Sequence, residues 1–466
     1  MKRFIFSFFA FCFLTLMTLG VSAAVFQDGQ KVCFYGDSIT HGGRFHYMIY
    51  DYYLTRFPDA NITFLNAGVG GDNAGAAMNR IEEDVFARNP DVVVLMFGMN
   101  DVNRGQYVEN PSEGNLAAQR SALTHYEKNM QRLAGTLQER LNPTFMFITP
   151  SPFDHTGVND RNNNNPGCND GLGKCAEIVK TLAGEMAKNK EAGSVNVVDF
   201  HAPMTAFNAK MQANDPRYTI VGPDRVHPQA QGHLMMAWLF LKTQGAPALV
   251  SDVVLNADAG AEKSVTVERS ENATVSELKK DADGKISCTI LEKALPFPMD
   301  AEAYPILKEL PIVEELNQET FAVKSLSAGN YELKIDGNVV GTYTAEELAQ
   351  GVNLAMNPKT PQFQQAENVR KLGLQRRGTE VKLRDHAAVR WFLRLRQVNP
   401  DDMAAVQKIY DEKFSKTGGY FEDKTPGYLK NWGNRAEVQE KLAQETEELL
   451  KLRKPVAHMY EIVPIK

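Results

Sequence analysis

The residues best placed to do chemistry fall in four short blocks, each close behind an apolar run or ahead of a helical one. Gly36-Asp37-Ser38-Ile39-Thr40 follows the run Lys31–Tyr35. A glycine before a serine permits a tight strand-to-helix bend. A serine at a helix N-terminus then stands among free N–H groups that stabilise an anion. The plainer role for such a serine is an N-cap. Asn66-Ala67-Gly68-Val69-Gly70-Gly71-Asp72-Asn73 follows the run Ile62–Leu65. Clustered glycines let backbone approach a ligand, or simply make a loop, and the block lacks the Gly-Lys-Ser/Thr ending of a phosphate-binding loop. Gly98-Met99-Asn100-Asp101 ends the most apolar run, Asp91–Phe97. Its Asn100 amide is either a buried structural group or a donor to an oxyanion, and Asp101 reads as a helix cap. In Asp224-Arg225-Val226-His227-Pro228 a carboxylate precedes a histidine by three residues. That spacing lets the carboxylate fix the imidazole tautomer while the other ring nitrogen acts as a base. A capping Asp beside a surface His has the same spacing.

Positioning these blocks requires strands that alternate with helices. Strand-like runs at 31–35, 62–65, 91–97, 144–148 and 195–200 are separated by helical patterns after Gly42, at 78–85, 115–140 and 176–188, with a last one at 230–241. Continuous apolar runs such as DVVVLMF suit strands buried on both faces. The alternation predicts a three-layer α/β/α, flavodoxin-like fold with a parallel sheet. In strand order 2-1-3-4-5 the first three blocks converge at the carboxyl edge of the sheet, where such folds bind ligands. The Asp224–His227 loop reaches the same edge from the last connection. Beyond Ala246 short strand patterns take over, with a hairpin turn at Asp336-Gly337-Asn338. From Thr344, which heads a capping box with Glu347, the patterns become helical, at 362–373, 384–397, 401–416 and 434–453. The expected division is 1–23 signal segment, 24–246 α/β domain, 247–344 β-rich accessory domain and 345–466 helical C-terminal region.

Together the four blocks, in this order, resemble those of the SGNH (GDSL-type) serine hydrolases, over roughly residues 30–240. The resemblance implies a catalytic triad of Ser38, Asp224 and His227. It implies an oxyanion hole from the Ser38 and Gly71 N–H groups and the Asn100 amide, with no metal or organic cofactor. Gly71 is preferred over Gly68 and Gly70 because the family pattern places this glycine before a polar residue, here Asp72. Asp37, and His201 after the last strand, are candidate substrate contacts. His41 lies in the same turn as Ser38 and is poorly placed to act as its base, and His233 reads as structural. The part beyond residue 246 inherits no function from the resemblance.

Composition bounds the partners. Of 466 residues, 43% are hydrophobic and 23% charged, a globular balance, and the net charge of -6 with a pI near 5.9 gives no basic excess for nucleic acid. Lys2 and Arg3, the apolar run Phe4–Leu19 and the small residues Val21-Ser22-Ala23 read as a secretory signal cleaved after Ala23. That reading predicts a periplasmic or secreted protein with no membrane span after cleavage. Of the remaining cysteines, Cys33 reads as a buried hydrophobe. Cys168 and Cys175 flank a Gly-rich stretch read as a loop and could close a local disulfide in an oxidising compartment, or stand as two free thiols. No Cys/His spacing suits zinc.

Export and the resemblance together imply an esterase acting on O-acetyl groups of a polysaccharide or oligosaccharide. The Asn-, Asp- and Gly-rich stretch 151–175 favours a polar substrate. Alternatives are a lysophospholipase or short-chain lipid esterase, an acyltransferase with the same triad, and a non-catalytic glycan-binding protein that uses the β-rich segment.

Overall fold

The computed structural model describes residues 25–189, 193–259, 264–416 and 419–465. The expected signal segment lies outside them. The N-terminal half is built on a five-stranded parallel sheet: β1 (Lys31–Gly36), β2 (Thr63–Gly68), β3 (Val92–Met96), β4 (Thr144–Ile148) and β5 (Val195–Val198), in order β2-β1-β3-β4-β5. The period of two along each strand sorts its side chains to opposite faces. Val32 and Phe34 of β1 and Val92, Val94 and Met96 of β3 pack on one side with α2 (Arg44–Arg56) and the apolar α6 (Ala230–Thr243). Cys33, Tyr35, Val93 and Leu95 pack on the other with α3 (Glu113–Arg140) and α4 (Cys168–Met186). Each fully buried aliphatic side chain contributes about 1.5–3 kcal/mol relative to exposure. Burial on both faces therefore explains why these strands carry no polar alternation. Between β5 and α6 lies α5 (His201–Gln212), a helix outside the patterns expected from the sequence.

The β-rich segment forms two sheets. One has order β13-β10-β6-β7, from β6 (Leu249–Ala259), β7 (Ser264–Glu271), β10 (Gln318–Lys324) and β13 (Val352–Asn353). The other has order β12-β11-β14-β9-β8, from β8 (Ala273–Lys280), β9 (Ile286–Glu292), β11 (Asn330–Ile335), β12 (Asn338–Thr344) and β14 (His458–Pro464). Their inner faces share a core that includes Leu255, Ile290, Phe321, Leu333 and Ile462. The hairpin at Asp336-Gly337 has both φ angles positive, 49° and 79°, as a two-residue turn between twisted strands requires. The final strand β14 inserts between β9 and β11, so the chain leaves the helical region and returns to complete the second sheet.

The helical region comprises α7 (Ala345–Gln350), α8 (Pro361–Arg394), α9 (Met403–Glu412), α10 (Tyr420–Asn431) and α11 (Arg435–Leu452). The capping box on α7 forms, with Thr344 and Glu347 bonded reciprocally. The two helical patterns at 362–373 and 384–397 are one continuous helix, α8. The α10 helix contains Pro426-Gly427, a local turn signal. The fold overrides that signal by packing Phe421 on Phe392 and Trp391 of α8.

Of the two readings of Cys168 and Cys175, the structure has the free thiols and not the disulfide. All four described cysteines are free and buried. The stretch read as a loop is the first two turns of α4. Seven helical residues separate the Cα atoms by about 10 Å, beyond the ~7 Å that a disulfide can bridge.

Candidate active site

The first three blocks converge because β1 lies between β2 and β3 with their carboxyl ends in register: Gly36 is opposite both Gly68 and Met96. Glycine is required at two of these points. A Cβ on Gly36 would lie 2.6 Å from the Met96 carbonyl oxygen, and one on Gly68 would lie 2.1 Å from the His41 nitrogen. The chain can therefore turn directly from β1 into α1 (Ser38–Gly42), with Ser38 as its first residue. At that position the Ser38 N–H has no intrahelical acceptor.

The cap of α1 is Asp37, whose carboxylate accepts from the Ile39 N–H at 3.0 Å. Its side chain is turned inward and buried, and this burial, opposed by the Ile39 N–H, pushes its carboxyl up to about 6. Asp37 thus shapes the turn into α1.

Ser38 Oγ lies 2.8 Å from His227 Nε2, across 189 residues of sequence. On the far side of the ring His227 Nδ1 is 2.5 Å from Asp224 Oδ2, while Asp224 Oδ1 accepts the backbone N–H groups of Val226 and His227, both at 3.0 Å. Partial burial favours the neutral Asp224 carboxyl. The hydrogen bonds from His227 and Val226 outweigh it and hold the group below the usual carboxylate range. An ionised Asp224 only accepts, so Nδ1 carries the proton and Nε2 presents a lone pair to the Ser38 hydroxyl.

The loop that carries both groups is fixed by Arg225, which takes a left-handed φ of 66°. Its buried guanidinium donates to the carbonyls of Asp154 and Gly157, at 2.7 and 2.8 Å, and to Asn163 Oδ1 at 3.0 Å.

The loops after β2 and β3 are tied together. Asn100 Nδ2 donates to the Asp72 carbonyl at 2.9 Å, and Asn100 Oδ1 accepts from Arg104 at 3.2 Å. Arginine only donates, so the amide orientation is set, and Nδ2 keeps a second N–H beyond the one spent on Asp72. Asp101 accepts from the Gly98 and Ala74 N–H groups, and burial pushes its carboxyl up to about 7. Gly71 turns at φ 77°, with open space where a Cβ would be.

Beneath these loops lies a buried charge network that the sequence reading did not find. Arg80 Nε donates to Asp72 at 2.7 Å, and its other nitrogens reach Asp84 and the carbonyls of Ala67 and Gly36. Arg384, from α8, donates to Asp84 at 2.7 Å and to the Gly68 carbonyl at 3.1 Å.

The C-terminal helices also wall the cleft itself. A cleft of about 290 Å³ beside Ser38 is lined by His41, Gly42 and Gly70 and, from the helical region, by Arg377, Val381, Asp385, Tyr420 and Lys424. The Tyr420 hydroxyl lies 2.8 Å from His41 Nδ1, which also accepts the Gly70 N–H at 3.1 Å. Nδ1 is therefore the unprotonated nitrogen, and Nε2–H faces Asp385 at 3.3 Å. Burial lowers the His41 pKa, in keeping with a neutral ring. His41 is an anchor for α10.

His201 does not line this cleft. Its Nε2 lies 3.1 Å from the Asn169 carbonyl of α4, and its ring packs against Gly173. His233 is buried and stacks on Phe45. Among the described residues no cluster of three or more His, Cys, Asp or Glu side chains is arranged to hold a metal ion. No helix among them is long and apolar enough to cross a membrane.

Comparison with known proteins agrees with this architecture. An acetylxylan esterase of Geobacillus stearothermophilus is 29% identical over 233 residues, 47% of this chain and 95% of that protein. The structure of a gut microbial diltiazem-metabolizing enzyme superposes with a TM-score of 0.84 at 30% identity, covering 95% of this chain and 99% of that one. It therefore matches the β-rich and helical regions as well. The family model for GDSL-like lipase/acylhydrolases matches residues 32–240, and the chain belongs to that family.

Proposed function

We propose that the protein is an exported serine esterase that removes short-chain O-acyl groups, acetyl above all, from carbohydrate. The observation that carries this reading is the relay from Ser38 Oγ through the His227 ring to Asp224, at 2.8 and 2.5 Å.

In this mechanism Ser38 Oγ attacks the ester carbonyl carbon as its proton passes to His227 Nε2. Asp224 holds the ring and stabilises the imidazolium. The carbonyl electron pair moves to oxygen, where the Ser38 N–H, the Gly71 N–H and the second Asn100 N–H receive the charge. The tetrahedral centre collapses, the bond to the alcohol oxygen breaks, and His227 returns the proton to that alcohol. Water, deprotonated by the same ring, then attacks the acyl-enzyme and frees the acid.

The carbohydrate assignment is supported by likeness to an acetylxylan esterase. Export rests on the signal-like residues 1–23. A second reading, hydrolysis of a small-molecule ester, is favoured by the likeness along nearly the whole chain to the diltiazem-metabolizing enzyme.

The test measures acetate released from acetylated xylo-oligosaccharide and from p-nitrophenyl acetate, by wild type and by Ser38→Ala. Loss of both activities in the variant is expected. Acetate release that Ser38→Ala leaves intact would overturn the mechanism, and a wild type active only on the aryl ester would favour the second reading.

A further inference from the structure

The cleft at Ser38 does not end at Tyr420. Tyr420, Asp385 and Lys424 also line a second cleft of about 470 Å³ that continues between α8 and α10 past Lys382, Asp423 and Asn431. We infer that this α8–α10 groove is the subsite for the alcohol half of the ester, an uncharged polyhydroxylated chain, and that Tyr420 and Lys382 determine specificity there. The inference rests on the esterase reading above.

Size excludes the acyl group as the only occupant. An acetyl group displaces a few waters of about 30 Å³ each, a small part of the combined clefts. The α8–α10 cleft carries ammonium, carboxylate, amide and phenol groups among its apolar surface, and a chain without polar atoms would strip those groups of water with no compensating hydrogen bonds.

Charge argues for a neutral occupant. Lys424 Nζ is 2.5 Å from Asp385, so that pair is internally satisfied, and exposed Lys382 is matched by exposed Asp423. Such a surface offers donors and acceptors in near balance, which suits hydroxyl groups.

Tyr420 stands at the junction of the two clefts, and its position is fixed. Its hydroxyl is bonded to His41, Lys424 Nζ lies 4.7 Å from its ring centroid, and a Cβ on Gly70 would come within 2.8 Å of the ring. The residue preceding the candidate oxyanion donor Gly71 is thus in contact with the wall that would grip the substrate.

The experiment compares kcat/KM for acetylated xylo-oligosaccharide with kcat/KM for p-nitrophenyl acetate, in wild type, Tyr420→Ala and the surface variant Lys382→Ala. The expected result is a ratio lowered about tenfold in Tyr420→Ala and several-fold in Lys382→Ala, mainly through KM for the oligosaccharide. A ratio within twofold of wild type in both variants overturns the proposal. So does a change that follows acyl length, read from p-nitrophenyl butyrate against acetate, because it would place the acyl chain in the groove. Wild type inert toward the oligosaccharide but active on p-nitrophenyl acetate also overturns it, while leaving the Ser38 mechanism standing. A Ser38→Ala control that retains activity instead overturns the esterase reading itself.

Discussion

Arg384 Nη1 donates to Asp84 Oδ1 at 2.7 Å, joining α8 to the short helix Ile81–Asp84 between β2 and β3 across 300 residues. Both side chains are buried, and Arg384 also holds the Gly68 carbonyl beside α1. The helical region is thereby bonded to the backbone that positions Ser38 and Gly71.

Removing one partner of a buried ion pair leaves an uncompensated charge, at a cost of about 3–5 kcal/mol. Arg384→Ala should lower stability in urea unfolding by roughly that amount. It should lower kcat as well, because the β1 and β2 ends lose a shared anchor. Unfolding that matches wild type would show the pair to be dispensable.

Asp224→Asn preserves shape but removes the charge that fixes the His227 tautomer. The expected loss in kcat on p-nitrophenyl acetate is about 10⁴-fold. Asn100→Ala should lower kcat about 10²–10³-fold with little change in KM, since the amide acts on the charged intermediate. A raised KM with kcat unchanged for Asn100→Ala would indicate ground-state binding instead.

The two carboxyls of Glu292 and Glu319 are buried together beneath the β-rich sheets, with Ser251 donating to Glu292 at 2.6 Å. Burial raises both, Glu292 to about 7 and Glu319 well above the carboxylate range. The folded protein therefore holds protons that the unfolded chain releases near pH 4.3. Their stabilisation is fully present below that pH and is lost as pH rises through about 7. Tm should fall between pH 5 and 8, and the fall should be shallower in Glu319→Gln. An identical slope in the variant would assign the dependence to other groups.

Cys33, Cys168, Cys175 and Cys288 are buried free thiols, and burial pushes Cys168 and Cys288 up to about 12 and Cys33 to about 11. Iodoacetamide at pH 8 should label none of them in the native protein and all four after denaturation, read by peptide mapping. Reducing agent should leave Tm unchanged. A linked Cys168–Cys175 peptide would contradict the helical placement.

The α/β core and the blocks around it are legible in local patterns of the chain alone. Strands buried on both faces must be continuously apolar, and β1 and β3 are; the polar residues that interrupt this rule, Ser38 and Asn100, stand where the strands end. The hairpin at Asp336-Gly337 and the capping box at Thr344 were also legible, because each is a contact between residues at most three positions apart.

The remaining contacts join partners that no local pattern specifies, so they form only when the whole chain packs. Arg80 and Arg384 look like ordinary helical cations until Asp72 and Asp84 are brought beneath them. Strand β14 reads as nothing until β9 and β11 leave a gap for it. The helix α10 contains a proline and a glycine that locally signal a turn, and packing against α8 outweighs them. Tyr420 therefore reaches His41 through long-range burial, a term that depends on the whole fold and is invisible in any short stretch of chain.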